Sequence, residues 1–248
     1  MRKLAWILLF VAFVFTLAAC SNDVPPADYL PEAYQTRIER DVYVAADDTS
    51  DNTPPYEPIE ARPITTDVFT DMASRERDGE ITHIVIHFIS NVIANRTDPY
   101  NIGDIHSIFL NYGVSAHYII DRDGTIHLAV PEGRVAFHAG AGYLADFPDY
   151  ENNLNQHSIG IELLGIGSQD DMSVFLTAAE YDALDPDLIG FTDAQYEALN
   201  WLVNDILGRH PLILPNRAHI IGHSEYSPDK PDPGELFEWG RLDFMNRS

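Results

Sequence analysis

The sequence predicts an α/β fold, a single domain with a mixed central β-sheet flanked by helices. Three observations carry this. Several short segments are apolar with little alternation: THIVIHFI (82–89), SAHYIID (115–121), TIHLAV (125–130), SIGIELL (158–164) and AHIIG (218–222). Strands of that kind need cover on both faces, which helices supply. One amphipathic helix carries its own start and stop signals, and one pair of strands carries a hairpin signal.

In chain order, the second and third strands are joined by Arg122-Asp123-Gly124, a short turn that folds them into an antiparallel hairpin. A short helix is expected over Asp104–Asn111, closed by Gly113. The long helix begins where Thr192 and Gln195 form a capping box. Tyr196, Leu199, Leu202, Val203, Ile206 and Leu207 supply its apolar stripe, and Gly208 is its expected end.

The N-terminus has a different composition. A basic start, Met1-Arg2-Lys3, precedes an apolar run from Leu4 to Ala19, too short for a comfortable membrane span and ending LAAC. It resembles a bacterial lipoprotein signal over residues 1–19, with Cys20 carrying the lipid; an uncleaved anchor helix is the alternative reading. Residues 20–62 include DVPPADYLPEAY and DDTSDNTPPYEPIEARP, and are expected to be an extended linker, from which RDVYVAA could add a strand to the domain. The domain itself is expected over 63–248. On this reading the protein lies outside the cytoplasm, lipid-anchored to a membrane of the cell envelope, and is a monomer.

Composition excludes several chemistries. Cys20 is the sole cysteine, so neither a disulfide nor a thiol nucleophile is available to the domain. The formal net charge of −24 repels phosphate backbones and argues against a nucleic-acid partner. No HExxH helix and no Cys-x-x-Cys occurs, and GHSEY lacks the second glycine of a nucleophile elbow.

Ten histidines remain. His106, His127, His157 and His210 look like surface or loop positions. His83 and His87 share one face of a strand but stand about 13 Å apart, so at most one of them reaches a given metal ion. The same limit applies to His219 and His223 if that segment is extended. Spacing alone does not choose within either pair. Glu162 stands out because it interrupts SIGIELL, a strand otherwise built for burial, and an unpaired buried carboxylate costs several kcal/mol. Either function or an ordinary ion pair at a strand end would explain it.

The order IVIH, GVSAHYIIDRDGTIH, FHAG, NQHSIGIELLG, IIGHSEYSPDKPDPG and FEW resembles the zinc-dependent N-acetylmuramoyl-L-alanine amidases of type 2, relatives of the peptidoglycan recognition proteins. The likeness runs from about residue 80 to residue 239. It implies hydrolysis of the amide between N-acetylmuramic acid and L-alanine in peptidoglycan, with Zn2+ as cofactor. His87, His223 and Asp232 become the zinc ligands, Glu162 the proton carrier and Lys230 the stabiliser of the oxyanion. His117 and His138 become candidates for lining the substrate groove. Ala116 stands where some branches carry a tyrosine, a departure that shifts proton transfer more heavily onto Glu162. A non-catalytic muropeptide-binding module of the same fold, or a zinc peptidase acting on the stem peptide, are the competing readings.

Overall fold

The computed structural model describes residues 62–65 and 72–246, all within one compact unit. Its sheet has six strands: β1 (Ile64–Thr65), β3 (His83–Ile89), β4 (Tyr118–Ile120), β5 (Ile126–Leu128), β7 (Ser158–Leu164) and β8 (Ile220–Gly222), in the order β1-β5-β4-β7-β3-β8. A separate antiparallel pair joins β2 (Ser74–Glu76) to β6 (Arg134–Ala136). The sheet is mixed. β3 runs parallel to β7 and β8, β7 runs parallel to β4, and only the β4–β5 hairpin is antiparallel. Gly124 in the hairpin turn has φ 84°, a conformation that glycine adopts without steric cost.

Alternation along β3 and β7 divides the sheet into two unlike faces. Ile84 and Ile86 of β3, with Ile159, Ile161 and Leu163 of β7, pack in one cluster with Tyr196, Leu199, Leu202 and Ile206. Those four lie on α4 (Asp193–Arg209), which follows the short helices α2 (Gln169–Met172) and α3 (Ala178–Asp182) and whose N-terminus is closed by the Thr192–Gln195 capping box in both directions. Each aliphatic side chain buried here is worth about 1.5–3 kcal/mol. The other face is shared. At one end α1 (Ile102–Tyr112) covers Ile119 and Leu164 with Ile105 and Phe109. At the other end Ala139, Leu154 and Tyr226 cover Val85 and Ile221. Between these two caps lie the polar side chains of β3 and β7.

The predicted strands and both predicted helices form, with shifts at their ends. α1 starts at Ile102 with Asn101 as its cap, and Gly113 ends it in the left-handed conformation, φ 64°. α4 runs one residue beyond Gly208 and ends at His210. His127 is a correction: it is buried on β5, not at the surface. RDVYVAA, the LAAC signal and Cys20 lie outside the described residues; the edge strand beside β5 is Ile64–Thr65. Among the described residues, no helix is long and apolar enough to cross a membrane.

Candidate active site

Four elements deliver the polar groups between the two caps. His87 sits late on β3, and Glu162 is its register partner on β7. β8 ends at Gly222, and His223 opens a single helical turn, α5 (His223–Tyr226). The chain then returns through the proline-rich loop, where Ser224 N–H donates to the Asp232 carbonyl at 2.9 Å. A Cβ on Gly222 would run into the Pro233 ring at 2.5 Å, so glycine there lets the loop fold back against the end of β8. The loop is anchored farther along as well. Asp171 accepts from Glu235 N–H at 3.2 Å and from Ser168 N–H at 2.9 Å, and Gly234 leaves room for that carboxylate.

The result is a cluster of His87, His223 and Asp232, each buried, with one potential ligand atom apiece and all three atoms within 4.8 Å of one another. His87 Nδ1 lies 2.7 Å and His223 Nδ1 3.0 Å from Asp232 Oδ2. His83 and His219 are elsewhere. They stack on each other at 5.1 Å, against Phe147. The turn into α5 after β8 thus separates His223 from His219, and of that pair it is His223 that joins the cluster.

The donor inventory of this cluster fits a cation. His223 Nε2 lies 3.0 Å from the Ala139 carbonyl, which can only accept, so the one proton of the neutral ring belongs on Nε2. Its Nδ1 then aims a lone pair at a carboxylate. Burial disfavours a second proton on His87, lowering its pKa despite the adjacent Asp232. Burial works against ionised Asp232 too, but the imidazoles beside it outweigh burial and hold its pKa below the ordinary carboxylate range. Two imidazoles and one ionised carboxylate converging on a point form a ligand set suited to a divalent ion with an open position.

Beside the cluster opens a cavity of about 190 Å³, lined by His87, His138, Glu162, His223, Lys230 and Asp232 with an apolar rim of Phe88, Ile89, Phe109, Val114 and Phe137. Glu162 Oε2 is buried with no hydrogen-bond partner among the described residues. Its pKa is raised well above the ordinary value, first by burial and then by the charge on Asp232, with Lys230 opposing. Among the described residues no ion pair accounts for it, which does not favour the ordinary structural explanation of this carboxylate. Lys230 lines the cavity from an exposed position on the loop.

The two remaining candidates separate. His138 reaches the cavity, with its Nδ1 3.1 Å from His87 Nε2. His117 does not line it: the ring is fully enclosed, taking a hydrogen bond from Gly160 N–H on Nδ1 and facing the Arg134 carbonyl with Nε2. Burial, followed by the neighbouring Arg77, lowers its pKa to about 3. Ala116 is buried beneath α1 and brings no hydroxyl to the site. The apolar rim was not singled out in the sequence, although Phe137 directly precedes the histidine of FHAG.

Comparison with known proteins identifies the family of the chain. The family model described as N-acetylmuramoyl-L-alanine amidase, Amidase_2, matches residues 77–235. The 1,6-anhydro-N-acetylmuramyl-L-alanine amidase AmpD of Enterobacter cloacae is 31% identical over 187 residues, covering 69% of this chain and 83% of that protein. AmpD of Haemophilus influenzae is 33% identical over 183 residues, covering 67% and 83%. In fold alone, the N-acetylmuramoyl-L-alanine amidase LysC of Clostridium intestinale URNW superposes with a TM-score of 0.50 at 19% identity, over 76% of this chain and 100% of that one. These relatives also correct one expectation. AmpD proteins are cytoplasmic recycling enzymes, which overturns the extracytoplasmic, lipid-anchored location inferred from the N-terminus. With the family model spanning the whole of the sheet from β3 to β8 and the site loop beyond it, the chain belongs to the type 2 N-acetylmuramoyl-L-alanine amidase family and has that family's amidase activity.

Proposed function

We propose that the protein is a zinc-dependent amidase that cleaves the amide joining N-acetylmuramic acid to L-alanine in muropeptides. The AmpD relatives, named for the 1,6-anhydro form, point to soluble anhydro-muropeptides as the substrate class. The observation that carries the reading is the convergence of His87 Nδ1, His223 Nδ1 and Asp232 on one point beside the partnerless Glu162.

His87, His223 and Asp232 would hold the ion, which supplies Lewis acidity that polarises an amide carbonyl and acidifies water. The chain's own groups do the rest. Glu162 accepts a proton from the attacking water and hands it to the departing amine of L-alanine. A carboxyl whose pKa is raised by burial suits both halves of that task, because proton transfer is most efficient when the carrier's pKa lies near the working pH. Lys230 presents its ammonium to the oxyanion that forms as the carbonyl carbon becomes tetrahedral. The rim of Phe88, Phe109 and Phe137 keeps bulk water from the reacting groups, which strengthens both electrostatic contacts.

The test is mass spectrometry of defined muropeptides after incubation with the full chain, before and after removal of metal by a chelator. Release of free stem peptide that stops on chelation and returns with zinc supports the reading. Cleavage within the stem peptide, or activity indifferent to chelation, overturns it.

A further inference from the structure

The cluster described above leaves one question of proton placement: which nitrogen of His87 carries hydrogen. The answer lies in a chain of contacts that runs away from the cavity into the core. His87 Nε2 is 3.1 Å from His138 Nδ1, His138 Nε2 is 3.2 Å from Ser158 Oγ, and Ser158 Oγ donates to the Leu154 carbonyl at 2.7 Å. The chain can be read from its far end. The Leu154 carbonyl only accepts, so the single hydroxyl proton of Ser158 is committed to it. Ser158 Oγ can therefore only accept from His138, which puts the His138 proton on Nε2 and leaves Nδ1 as an acceptor. His87 must then donate from Nε2, and its Nδ1 lone pair is turned toward His223 and Asp232.

Three further observations show that this arrangement is built. Ser158 is fully buried and His138 is only 9% exposed, so water does not compete for the contacts. Gly160, on the strand beneath, has no side chain, and a Cβ there would overlap the His138 ring. The missing Cβ is the seat of the imidazole. Finally, Asn155 Oδ1 accepts from both His138 N–H at 3.0 Å and Ala139 N–H at 2.7 Å. One side chain thereby fixes the segment whose imidazole contacts His87 and whose carbonyl contacts His223.

We propose that His138 is a positioning residue: relayed from Leu154 through Ser158, it fixes the tautomer and orientation of His87 so that Nδ1 is presented as a metal ligand. The proposal rests on the metal reading given above. It assigns His138 a task different from lining a substrate groove, and gives Ser158 and Gly160, both remote from the reacting amide, a part in metal affinity.

The test measures zinc dissociation constants of the full chain by competition with a chromophoric chelator. His138→Leu removes the acceptor while keeping bulk, and is expected to weaken zinc binding about 10–100-fold. His138→Asn can place its Oδ1 where Nδ1 stood, and should restore affinity to within a few-fold of wild type. Ser158→Ala, which touches no ligand, should weaken binding in the same direction. Wild-type affinity in His138→Leu, or equal loss in the Leu and Asn variants, overturns the relay. His223→Ala separates this from the underlying reading. Loss of zinc there with none in His138→Leu overturns the relay alone, whereas retention in both overturns the ligand set and the relay with it. A readout that needs no variant is nitrogen NMR of the zinc-loaded, histidine-labelled protein. Coupling across the His87 Nε2–His138 Nδ1 hydrogen bond, with His138 protonated on Nε2, is expected; a proton on His138 Nδ1 overturns the proposal.

Discussion

His87 and Glu162 are register partners across the parallel β3–β7 ladder, so their side chains leave adjoining strands on the same face. That pairing puts an imidazole of the buried His87–His223–Asp232 cluster and the Glu162 carboxylate side by side by backbone hydrogen bonding alone, with no loop to order. A buried carboxylate without a hydrogen-bond partner persists in such a place only because the two strands over-determine its position.

Glu162→Gln keeps the shape and removes the proton acceptor. Turnover should fall by roughly 10²–10⁴, with zinc content unchanged. A well-folded, zinc-loaded variant with nearly full activity would show that another group carries the proton; single-turnover cleavage and metal analysis on one preparation decide it.

The same residue sets a pH dependence. Its folded-state pKa lies above the unfolded value, so the folded protein binds the extra proton between the two, and stability falls as pH rises through that window. Metal-free Glu162→Gln should therefore melt above the metal-free wild type at neutral pH and lose that advantage in acid. In kinetics the sign is opposite. The base works ionised, so kcat/KM should fall on acidification as Glu162 takes up its proton, and thermal melts with a pH–rate profile test both.

Metal content separates the histidine pairs. His87→Ala and His223→Ala should each lose most of the zinc, while His83→Ala and His219→Ala, stacked on each other away from the cluster, should retain it. Elemental analysis of the purified proteins gives the answer directly.

Asp171 should matter without touching the reacting groups. Asp171→Ala removes the acceptor for the exposed Glu235 N–H, which can turn to water, and for the part-buried Ser168 N–H, whose loss costs about 1 kcal/mol. Because it also frees the loop that carries Asp232 and Lys230, zinc affinity should drop alongside the denaturation midpoint. An unchanged dissociation constant would mean that the loop holds its shape unaided.

Lys230→Ala should lower kcat by roughly 10²–10³ with little change in KM, as expected for a group that acts on charge developing in the transition state. Lys230→Met, which keeps the stem, distinguishes loss of charge from loss of packing.

Legibility in the sequence followed the range of the interactions. β7 was readable residue for residue, because SIGIELL is buried along its whole length and its ends are marked by local chemistry. The start of α4 was equally plain, since a capping box is a contact over three residues. β2 and β6 left no pattern: SRE and RVA are three residues each, partly polar, and pair across a long stretch of intervening chain that no local signal spans. His117 and His138 show the same limit within the site. Gly160 meets both, through its N–H on His117 and through its missing Cβ beneath His138. Depth below the surface, which separates the cavity-lining ring from the enclosed one, is a property of packed layers and not of local sequence.

Alternation along β3 places His87 between Ile86 and Phe88, and alternation along β7 places Glu162 between Ile161 and Leu163. A slip of one residue in either strand would exchange the reactive groups for hydrocarbon and drive imidazole or carboxylate against α4. Evolutionary change by insertion or deletion is therefore closed within 83–89 and 158–164, and lineages of this enzyme are left to vary in length where the chain runs exposed, as it does over Asp149 and Glu151–Asn153.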